Sequence, residues 1–354
     1  MKPSHAPPGD ILIYCRAGFE KECAAEMRQH TSFDTLGGFV RAREGSGYLL
    51  ICGNGAGLST PAFEELIFAR QMILGTSAVT GLSADDRVTP LLDQATELAP
   101  RFSAIWLETA DTNEAKSLSA LTRKLAAPLE RAARQRGLLA AGSDAPRLHV
   151  FFTGTSEARI GVTRAGQSSN WLMGIPRLRF PRGAPSRSAL KLEEAFLTFL
   201  DEPARLLSPG MRAVDLGAAP GGWTWQLVRR HIRVTAVDNG PIDPRLMDSG
   251  IVEHLRADAF RYRPTKPVDW MVCDVVEQPS RIAALIARWI GESWARRCIF
   301  NLKLPMKRRY DEVLHCRSII ETALDAAGIR TRLRFRQLYH DREEVTGFLD
   351  GPDR

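Results

Sequence analysis

Residues 213–223, AVDLGAAPGGW, combine a carboxylate with closely spaced glycines, a composition suited to binding a ligand. The run 212–216 is short and mostly apolar, and GGWTWQLVRR over 221–230 is typical of the start of a helix. An α/β sheet binds ligands outside the carboxyl end of such a strand. The glycines let the backbone approach a ligand closely, and the Asp215 carboxylate can hold an amine. A tight turn between a strand and a helix can have similar residues without binding a ligand. The residues elsewhere in this half of the chain therefore have to distinguish a binding site from an ordinary turn.

Four further polar residues stand where later strands are predicted to end. Asp238 closes VTAVDNG about 20 residues after Asp215, close to the spacing at which a carboxylate binds a ribose diol. Asp258 follows the next strand, where a carboxylate can reach an adenine amine. Asp274 and Lys303 end the strands WMVCD and IFNLK. Because the carboxyl ends of parallel strands meet at one edge, we expect these groups to form a single site.

The spacing of the glycines narrows the class of ligand. A dinucleotide fingerprint requires G-x-G-x-x-G, whereas here Gly217 is followed by Gly221 and Gly222. No Lys-Ser/Thr pair follows to complete a phosphate loop. The D-x-G-x-x-P-G-G turn of S-adenosylmethionine-dependent methyltransferases fits better, so S-adenosylmethionine is the predicted cofactor.

The residues around the end of the fourth strand argue against two kinds of methyl acceptor. Methylation of an exocyclic amine usually requires an Asn/Asp-Pro-Pro-aromatic turn, whereas this chain has Asp274-Val-Val-Glu277. Carbon-5 methylation of a pyrimidine requires a nucleophilic cysteine, typically after a proline, but Cys273 follows Val272 and is predicted to point away from the site. A ribose hydroxyl remains, and this very weak acid needs a base and tight orientation.

Lys303 is the candidate base, provided that part of its population is neutral. A second ammonium lowers a lysine pKa from its usual ~10.4, and Lys191, on the helix before the first strand, could supply that charge. Asp274 and Glu344 could hold the two amines. Glu343 is the alternative to Glu344; strand alternation makes them mutually exclusive, and we favour Glu344 because it opens the last strand.

The second half of the chain predicts the elements that would position these groups. Ser188 is a plausible N-cap for a helix over 188–200, with Leu192, Ala195, Phe196 and Phe199 on one face. Strands are predicted at 213–216, 233–237, 251–255, 269–273, 298–302, about 330–336 and 344–349, with helices at 222–230, 279–295 and 308–327. This alternation predicts a mainly parallel, doubly wound sheet.

The first half predicts a smaller α+β region over 1–165, with a further division into 1–60 and 61–165 considered. Its most basic element is a helix over 113–136, interrupted by Pro128, which is compatible with RNA binding or with an ordinary solvated face. A Gly/Pro/Ser-rich linker over 166–187 then leads to the catalytic domain, 188–354. Other predicted elements are strands at 11–15, 38–43, 48–52, 104–108, 148–152 and 158–163, helices at 19–30 and 87–99, and an ambiguous apolar run at 62–75.

Composition agrees with a soluble protein that has a polyanionic partner. The 354 residues carry a net charge of +7, and basic clusters at 177–182, 307–309 and 330–336 favour an RNA surface. The six cysteines form no C-x-x-C pair, so no metal site is predicted. No apolar run has the length of a signal peptide or a membrane span, so we expect a cytoplasmic protein, acting as a monomer.

Lys191, Asp274, Lys303 and Glu344 resemble the K-D-K-E tetrad of 2′-O-ribose RNA methyltransferases of the RrmJ/fibrillarin type. The chain resembles the RlmM family, the bacterial 23S rRNA cytidine 2′-O-methyltransferases, still more closely. Segments from both halves carry that resemblance: CRAGFEKECAAE (15–26), LIFARQ (66–71), ADTNEAK (110–116), MGIPRLRFPRGAPSRSALKLEEAF (173–196), VDLGAAPGGWTWQLV (214–228), WMVCDVVE (270–277), FNLKLPMK (300–307) and QLYHDREEVT (337–346).

The resemblance implies a THUMP-type RNA-binding region before a Rossmann-like methyltransferase domain. It also implies that Lys303 accepts the proton and that the substrate is one cytidine in the peptidyl-transferase region of 23S rRNA, modified before the subunit is assembled. The residues implied to contact S-adenosylmethionine are Ser188, Ala219, Pro220, Gly221, Gly222, Asp238, Asp258 and Asp274.

Two rival functions stay open from the residues alone. A methyltransferase acting on a protein or small molecule would not need a basic N-terminal half. A non-catalytic RNA-binding scaffold with a relic pocket would be expected to have lost a member of the tetrad, whereas all four are present.

Overall fold

The computed structural model describes residues 9–30, 38–53, 60–140, 142 and 144–351. The chain divides into two compact units, Met1–Pro176 and Arg177–Arg354. The division falls inside the stretch 166–187 that was predicted to be a linker. Across the part of the chain that the structure describes, no helix has the length and apolarity needed to cross a membrane.

The elements of the first unit are β1 (Asp10–Tyr14), α1 (Glu20–His30), β2 (Phe39–Ala42), β3 (Tyr48–Cys52), β4 (Gln71–Thr80), α2 (Val88–Thr96), β5 (Ala104–Thr109), α3 (Leu118–Gln135), β6 (Arg147–Phe152) and β7 (Glu157–Thr163). Its strands form one seven-stranded sheet in the order β2-β3-β1-β4-β7-β6-β5. Strand β4 pairs antiparallel with both β1 and β7, so the segments before and after residue 60 share that sheet.

The basic helix α3 is amphipathic. Leu118, Leu129 and Ala133 are buried in the core beneath the sheet, while the cations are exposed. The prediction that Pro128 interrupts this helix is wrong, since α3 continues through it. Proline has no N–H to donate to the carbonyl of Lys124, four residues earlier. Both residues lie on the exposed face of the helix, so water can donate to that carbonyl instead. The residues before Leu118 form a short 3₁₀ turn rather than α-helix.

The elements of the second unit are α4 (Ala189–Phe199), α5 (Pro203–Leu206), β8 (Arg212–Leu216), α6 (Gly222–Val228), β9 (Arg233–Val237), α7 (Pro244–Met247), β10 (Val252–Leu255), β11 (Val268–Cys273), α8 (Pro279–Gly291), β12 (Ala295–Lys303), α9 (Arg309–Ala326), β13 (Arg332–Arg336) and β14 (Glu344–Asp350). Its strands also form a seven-stranded sheet, in the order β10-β9-β8-β11-β12-β14-β13. Strands β8 to β12 pair in parallel, as predicted, but β14 inserts antiparallel between β12 and β13.

The predicted elements of this unit are confirmed apart from their ends. Helix α4 buries the predicted apolar face, and Phe196 and Phe199 pack against Trp270 and Phe348 of the sheet. Helix α8 ends at Gly291, before the predicted residue 295, because Ser293 has φ 55° and turns the chain toward β12. The short helices α5 and α7 were not predicted.

Candidate active site

The turn between β8 and α6 lies against the start of α4. Gly217 and Gly221 have φ of 77° and 113°, a region that favours glycine, and the Ala219–Pro220 peptide is cis. A Cβ at Gly222 would lie 2.2 Å from Ser188 Oγ, so only glycine allows this approach. The structure thus brings Ser188 together with the predicted cofactor turn. Ser188 precedes α4 but does not cap it; its hydroxyl lies 2.7 Å from Ser186 Oγ instead.

Asp238, at the end of β9, is bonded to that turn. Its Oδ2 accepts from Ala219 N at 3.0 Å, and its Oδ1 accepts from Gly240 N at 2.7 Å. Each carboxylate oxygen can accept a further hydrogen bond, so the half-buried group remains able to bind a hydroxyl. Asp258 is more exposed, and its Oδ1 accepts from Phe260 N at 2.8 Å within its own turn.

Asp215, near the carboxyl end of β8, is fully buried, and one of its carboxylate oxygens accepts no hydrogen bond from the described residues. Thr224 Oγ1 donates to its Oδ2 at 2.6 Å, whereas Oδ1 has no hydrogen-bond partner among the described residues. Burial raises the pKa of Asp215 to about 7, the bond from Thr224 opposes that shift, and the negative charges of Asp274 and Asp238 add to it. An unpartnered acceptor among three carboxylates suits a cationic ligand, and S-adenosylmethionine carries both an ammonium and a sulfonium.

The four predicted catalytic side chains form a closed ring of alternating charge. Lys303 Nζ lies 2.6 Å from Asp274 Oδ1 and 2.8 Å from Glu344 Oε1. Lys191 Nζ lies 2.5 Å from Glu344 Oε2 and 3.7 Å from Asp274 Oδ2. All four side chains are largely buried but not sealed from solvent. Each ammonium therefore lies between two carboxylates, and the ring as a whole is neutral.

Strand register decides which glutamate enters the ring. Lys303 lies directly opposite Glu344 in the antiparallel pair β12 and β14. Glu343 lies on the other side, where it is 62% exposed and pairs with Arg309 at 2.9 Å. The choice of Glu344 over Glu343 thus agrees with the geometry.

The expectation that Lys191 leaves Lys303 partly neutral is wrong for this structure. Burial opposes the charge on Lys303, but the attraction of Asp274 and Glu344, with their hydrogen bonds, outweighs it and raises the pKa of Lys303 above its ordinary value. The reason is distance, since both carboxylates contact Nζ directly. Lys303 is accordingly an ammonium in the resting enzyme.

Sequence reasoning missed Asn301 and Thr346. Asn301 is fully buried and donates from Nδ2 to Asp274 Oδ1 at 3.0 Å and to Glu344 Oε2 at 3.1 Å. Thr346 Oγ1 donates to Asn301 Oδ1 at 2.8 Å. The sequence does contain a signal for these two residues. Asn301 lies two residues before Lys303, and Thr346 lies two residues after Glu344. Because side chains alternate along a strand, each lies on the same face as its catalytic neighbour.

A cysteine nucleophile does not fit the site. Cys273 is fully buried, and burial raises its pKa to about 12, so the reactive thiolate is suppressed. Among the described residues, no group of three or more His, Cys, Asp or Glu side chains is arranged to hold a metal ion.

The basic cluster at 330–336 is only partly exposed: Arg330 and Arg332 are exposed, whereas Arg334 is half-buried. Arg334 donates to Phe199 O and stacks on Phe348, with its guanidinium carbon 5.3 Å from the ring centre. Arg336 is buried. The predicted RNA surface at 330–336 is therefore wrong for these two residues, because their apolar stems and planar heads pack against the core. Lys307, Arg308, Arg179 and Arg182 are exposed.

The fold and site define an FtsJ-like, S-adenosylmethionine-dependent methyltransferase. Residues 184–327 match the model of the FtsJ-like methyltransferases. Residues 9–73 match the RlmM ferredoxin-like domain, and residues 86–164 match the N-terminal model of ribosomal RNA large subunit methyltransferase M. The chain belongs to the ribosomal RNA large subunit methyltransferase M family.

Two curated relatives show the extent of that similarity. The ribosomal RNA large subunit methyltransferase M of Methylococcus capsulatus is 59% identical over 350 residues, covering 97% of this chain and 98% of the relative. That of Cellvibrio japonicus is 48% identical over 348 residues, covering 96% and 98%. The solved structure of TrmN from Thermus thermophilus covers 97% of this chain and 99% of its own at 17% identity, and its TM-score of 0.36 is too low to add to the assignment.

Proposed function

We propose that this protein transfers a methyl group from S-adenosylmethionine to the 2′-hydroxyl of one cytidine ribose in 23S rRNA, with Lys303 accepting the proton. The observation that carries the proposal is the charge ring of Lys191, Asp274, Lys303 and Glu344 at the carboxyl edge of the sheet. Relatives at 59% and 48% identity are named as methyltransferases of large-subunit ribosomal RNA, which supports this substrate.

The cofactor turn and its carboxylates would hold S-adenosylmethionine. Asp215, fully buried next to the turn, would attract the ammonium through its charge, Asp238 would bind the ribose diol, and Asp258 would reach the adenine amine. Ser188 and the backbone of Ala219 to Gly222 would line the rest of the pocket, with Asp274 where the pocket meets the ring. When bound, the cofactor supplies an electrophilic methyl group on a positively charged sulfur.

The ring would orient and deprotonate the acceptor. Asp274 and Glu344 hold the Lys303 ammonium between them, and Lys191 shares both carboxylates. This places Nζ at a fixed position, so that the ribose hydroxyl can be held in line for transfer. Lys303 must first release its own proton, because its pKa is raised. The rate is therefore set by the small neutral fraction of this lysine near pH 7.

Two exposed apolar side chains and two exposed cations follow ring residues closely along the chain. Val276, two residues after Asp274, is 84% exposed, and Met306, three residues after Lys303, is 91% exposed. Lys307 and Arg308 follow directly and are also exposed. Apolar side chains beside cations can support a splayed-out base and its phosphates, which favours RNA over a protein or small-molecule acceptor.

The N-terminal unit would select the RNA, as a THUMP-type binding region. Arg123, Lys124 and Arg131 are exposed on α3. Phosphate contacts from such a face position an RNA without reading its bases. The enzyme would act as a monomer on free 23S rRNA before the subunit is assembled, which would place it in the cytoplasm.

Primer extension tests the proposal. 23S rRNA from a strain lacking this gene would be incubated with the purified protein and S-adenosylmethionine, then copied at low nucleotide concentration, which causes pausing at a 2′-O-methylated ribose. We expect one new pause, at a cytidine, that disappears when the cofactor is omitted. Methyl incorporation without such a pause would show a different acceptor and overturn the proposal.

A further inference from the structure

A second polar cluster lies behind the charge ring and is sealed from solvent. Asn301, Thr346 and Asp341 are each 1% exposed or less. Thr346 Oγ1 lies 2.8 Å from Asn301 Oδ1, and 3.1 and 2.9 Å from Asp341 Oδ1 and Oδ2. Asp341 Oδ2 also accepts from Leu338 N at 3.0 Å. Each of these hydrogen bonds has a described donor and acceptor, and the contacts to Leu338, Asp274 and Glu344 at the margins of the cluster fix where its protons lie.

The orientation of the Asn301 amide is fixed by its two carboxylate neighbours. Asp274 Oδ1 and Glu344 Oε2 are both acceptors and both lie within 3.1 Å of the same Asn301 atom. That atom must be the nitrogen, since an oxygen there would face two negative charges. The amide oxygen is consequently the atom that faces Thr346, and it requires a donor.

Thr346 has one hydroxyl proton for two neighbours. If that proton goes to Asn301 Oδ1, the 2.9–3.1 Å contact with Asp341 joins two oxygens and needs a proton from Asp341. If Asp341 were ionised, Thr346 would donate to it and the buried Asn301 oxygen would lose its partner. Because Oδ2 already accepts from Leu338, Oδ1 is the oxygen that carries the proton.

The surroundings of Asp341 agree with a neutral acid. Burial raises the pKa of Asp341 well above its ordinary value, and the hydrogen bond from Leu338 N opposes that shift. The charges of Glu194 and Glu344 raise the pKa further, while that of Lys191 lowers it. Glu194, on α4, fixes the same loop by accepting from Tyr339 N at 2.7 Å and His340 N at 2.9 Å.

We propose that Asp341 is a positioning residue that works as a neutral acid: it donates to Thr346, Thr346 donates to Asn301, and Asn301 holds Asp274 and Glu344 in place around the lysines. This inference deepens the proposed function and rests on it. The loop before β14 would thus keep the catalytic carboxylates in position without itself contacting the cofactor or the RNA.

Two conservative variants of the full-length protein test the relay. Asp341→Asn keeps a donor toward Thr346 and an acceptor for Leu338 N but can never be charged, so we expect kcat within about threefold of wild type. Thr346→Val keeps the shape but leaves the Asn301 oxygen unpaired, so we expect kcat to fall roughly tenfold or more, with S-adenosylmethionine Kd unchanged within about twofold. Thr346→Ser should restore kcat.

The pH–rate profile separates positioning from simple loss of stability. The rate should rise with pH as Lys303 loses its proton. Thr346→Val should shift the pH at which this rise occurs, because Asp274 and Glu344 set the pKa of that lysine. Thr235→Val, on β9 of the same sheet, is the matched control and should leave that pH unchanged. The carboxyl carbon of Asp341, identified in ¹³C spectra by its loss in Asp341→Asn, should show the shift of a protonated acid at pH 7; this readout stands even if Thr346→Val fails to fold.

The relay is overturned if Asp341→Asn loses activity as steeply as Thr346→Val, if Thr346→Val leaves both kcat and the pH profile unchanged, or if Asp341 shows a carboxylate signal at pH 7. None of these results affects the role of Lys303. The proposed function itself fails separately, if wild type does not methylate 23S rRNA at a ribose or if Lys303→Ala still does.

Discussion

Lys303 and Glu344 lie directly opposite each other on β12 and β14, with Nζ 2.8 Å from Oε1. The pair joins the end of a parallel strand to the start of an antiparallel one. The contact between this lysine and this glutamate therefore depends on the register in which β14 pairs with β12.

Lys303→Ala should abolish methyl transfer while leaving S-adenosylmethionine affinity within a few-fold, because the lysine acts on the acceptor. Loss of a general base costs about 10²–10⁴ in rate. Calorimetry and a methyl-incorporation assay measure the two effects, with Lys266→Ala, an exposed lysine just before β11, as control. A parallel loss of cofactor affinity and activity would make Lys303 a binding residue.

The rate should rise with pH above about 7, because Lys303 must lose a proton before it can accept one. Glu344→Gln removes a negative charge in contact with Nζ and so lowers the lysine pKa. Its rising limb should move to lower pH even though its maximal rate falls. Glu343→Gln alters a carboxylate that faces Arg309 and should leave the limb in place. If the rise in rate occurs at the same pH in Glu344→Gln as in wild type, a group other than Lys303 causes it.

Asp238→Ala should weaken S-adenosylmethionine binding roughly ten- to hundred-fold, since a hydrogen bond to a charged group contributes about 1.5–3 kcal/mol. Part of the loss would come from the amides of Ala219 and Gly240, which this carboxylate also holds. Asp238→Asn can keep one of those contacts and should fall between wild type and Ala. An unchanged dissociation constant would show that Asp238 does not contact the cofactor.

Asp215→Asn should stabilise the cofactor-free protein at about pH 8 but have less effect at about pH 5. The pKa of this group rises from 3.8 to about 7 on folding, so the folded state keeps a proton that the unfolded state loses. Stability therefore falls as pH rises between those values. Thermal melts measure this, with Asp269→Asn at the opposite edge of the sheet as control. S-adenosylmethionine should stabilise wild type more than the variant, and equal shifts would exclude Asp215 as its partner.

Reversing Arg123 and Lys124 to glutamate should weaken rRNA binding and flatten its salt dependence by about two units of log–log slope. Cofactor affinity should not change. The matched control reverses Arg134, in the last turn of the same helix, and Arg136, directly after it; they pair with Glu130 at 2.5 Å and Asp93 at 2.6 Å. An equal loss in both double variants would indicate net charge, rather than this face of α3, as the cause.

Asp238, Asp274 and Lys303 could be placed from the sequence by one rule, that parallel strands end at a common edge. Lys191 and Ser188 belong to the helix before the first strand, and Ser188 was assigned to the cofactor only from the family resemblance. Strand alternation puts Asn301 and Thr346 on the faces of Lys303 and Glu344, but the contact between them requires β14 to pair antiparallel beside β12, which spacing does not reveal.

Electrostatics and surface exposure were harder to predict, because both depend on distances that spacing does not reveal. Lys191 was expected to govern the pKa of Lys303, yet two carboxylates in direct contact outweigh it. Arg334 and Arg336 were expected on an RNA surface, yet they lie on a strand whose neighbours bury them. A count of charges along the chain does not distinguish these cases.

Strand β14 joins its sheet out of order. It is the last of the seven strands along the chain, yet it lies between β12 and β13. During synthesis those two neighbours emerge first, and each presents unpaired backbone groups until β14 arrives. Glu344 is the first residue of that strand. The charge ring can therefore be complete only once this last strand has entered the sheet between β12 and β13.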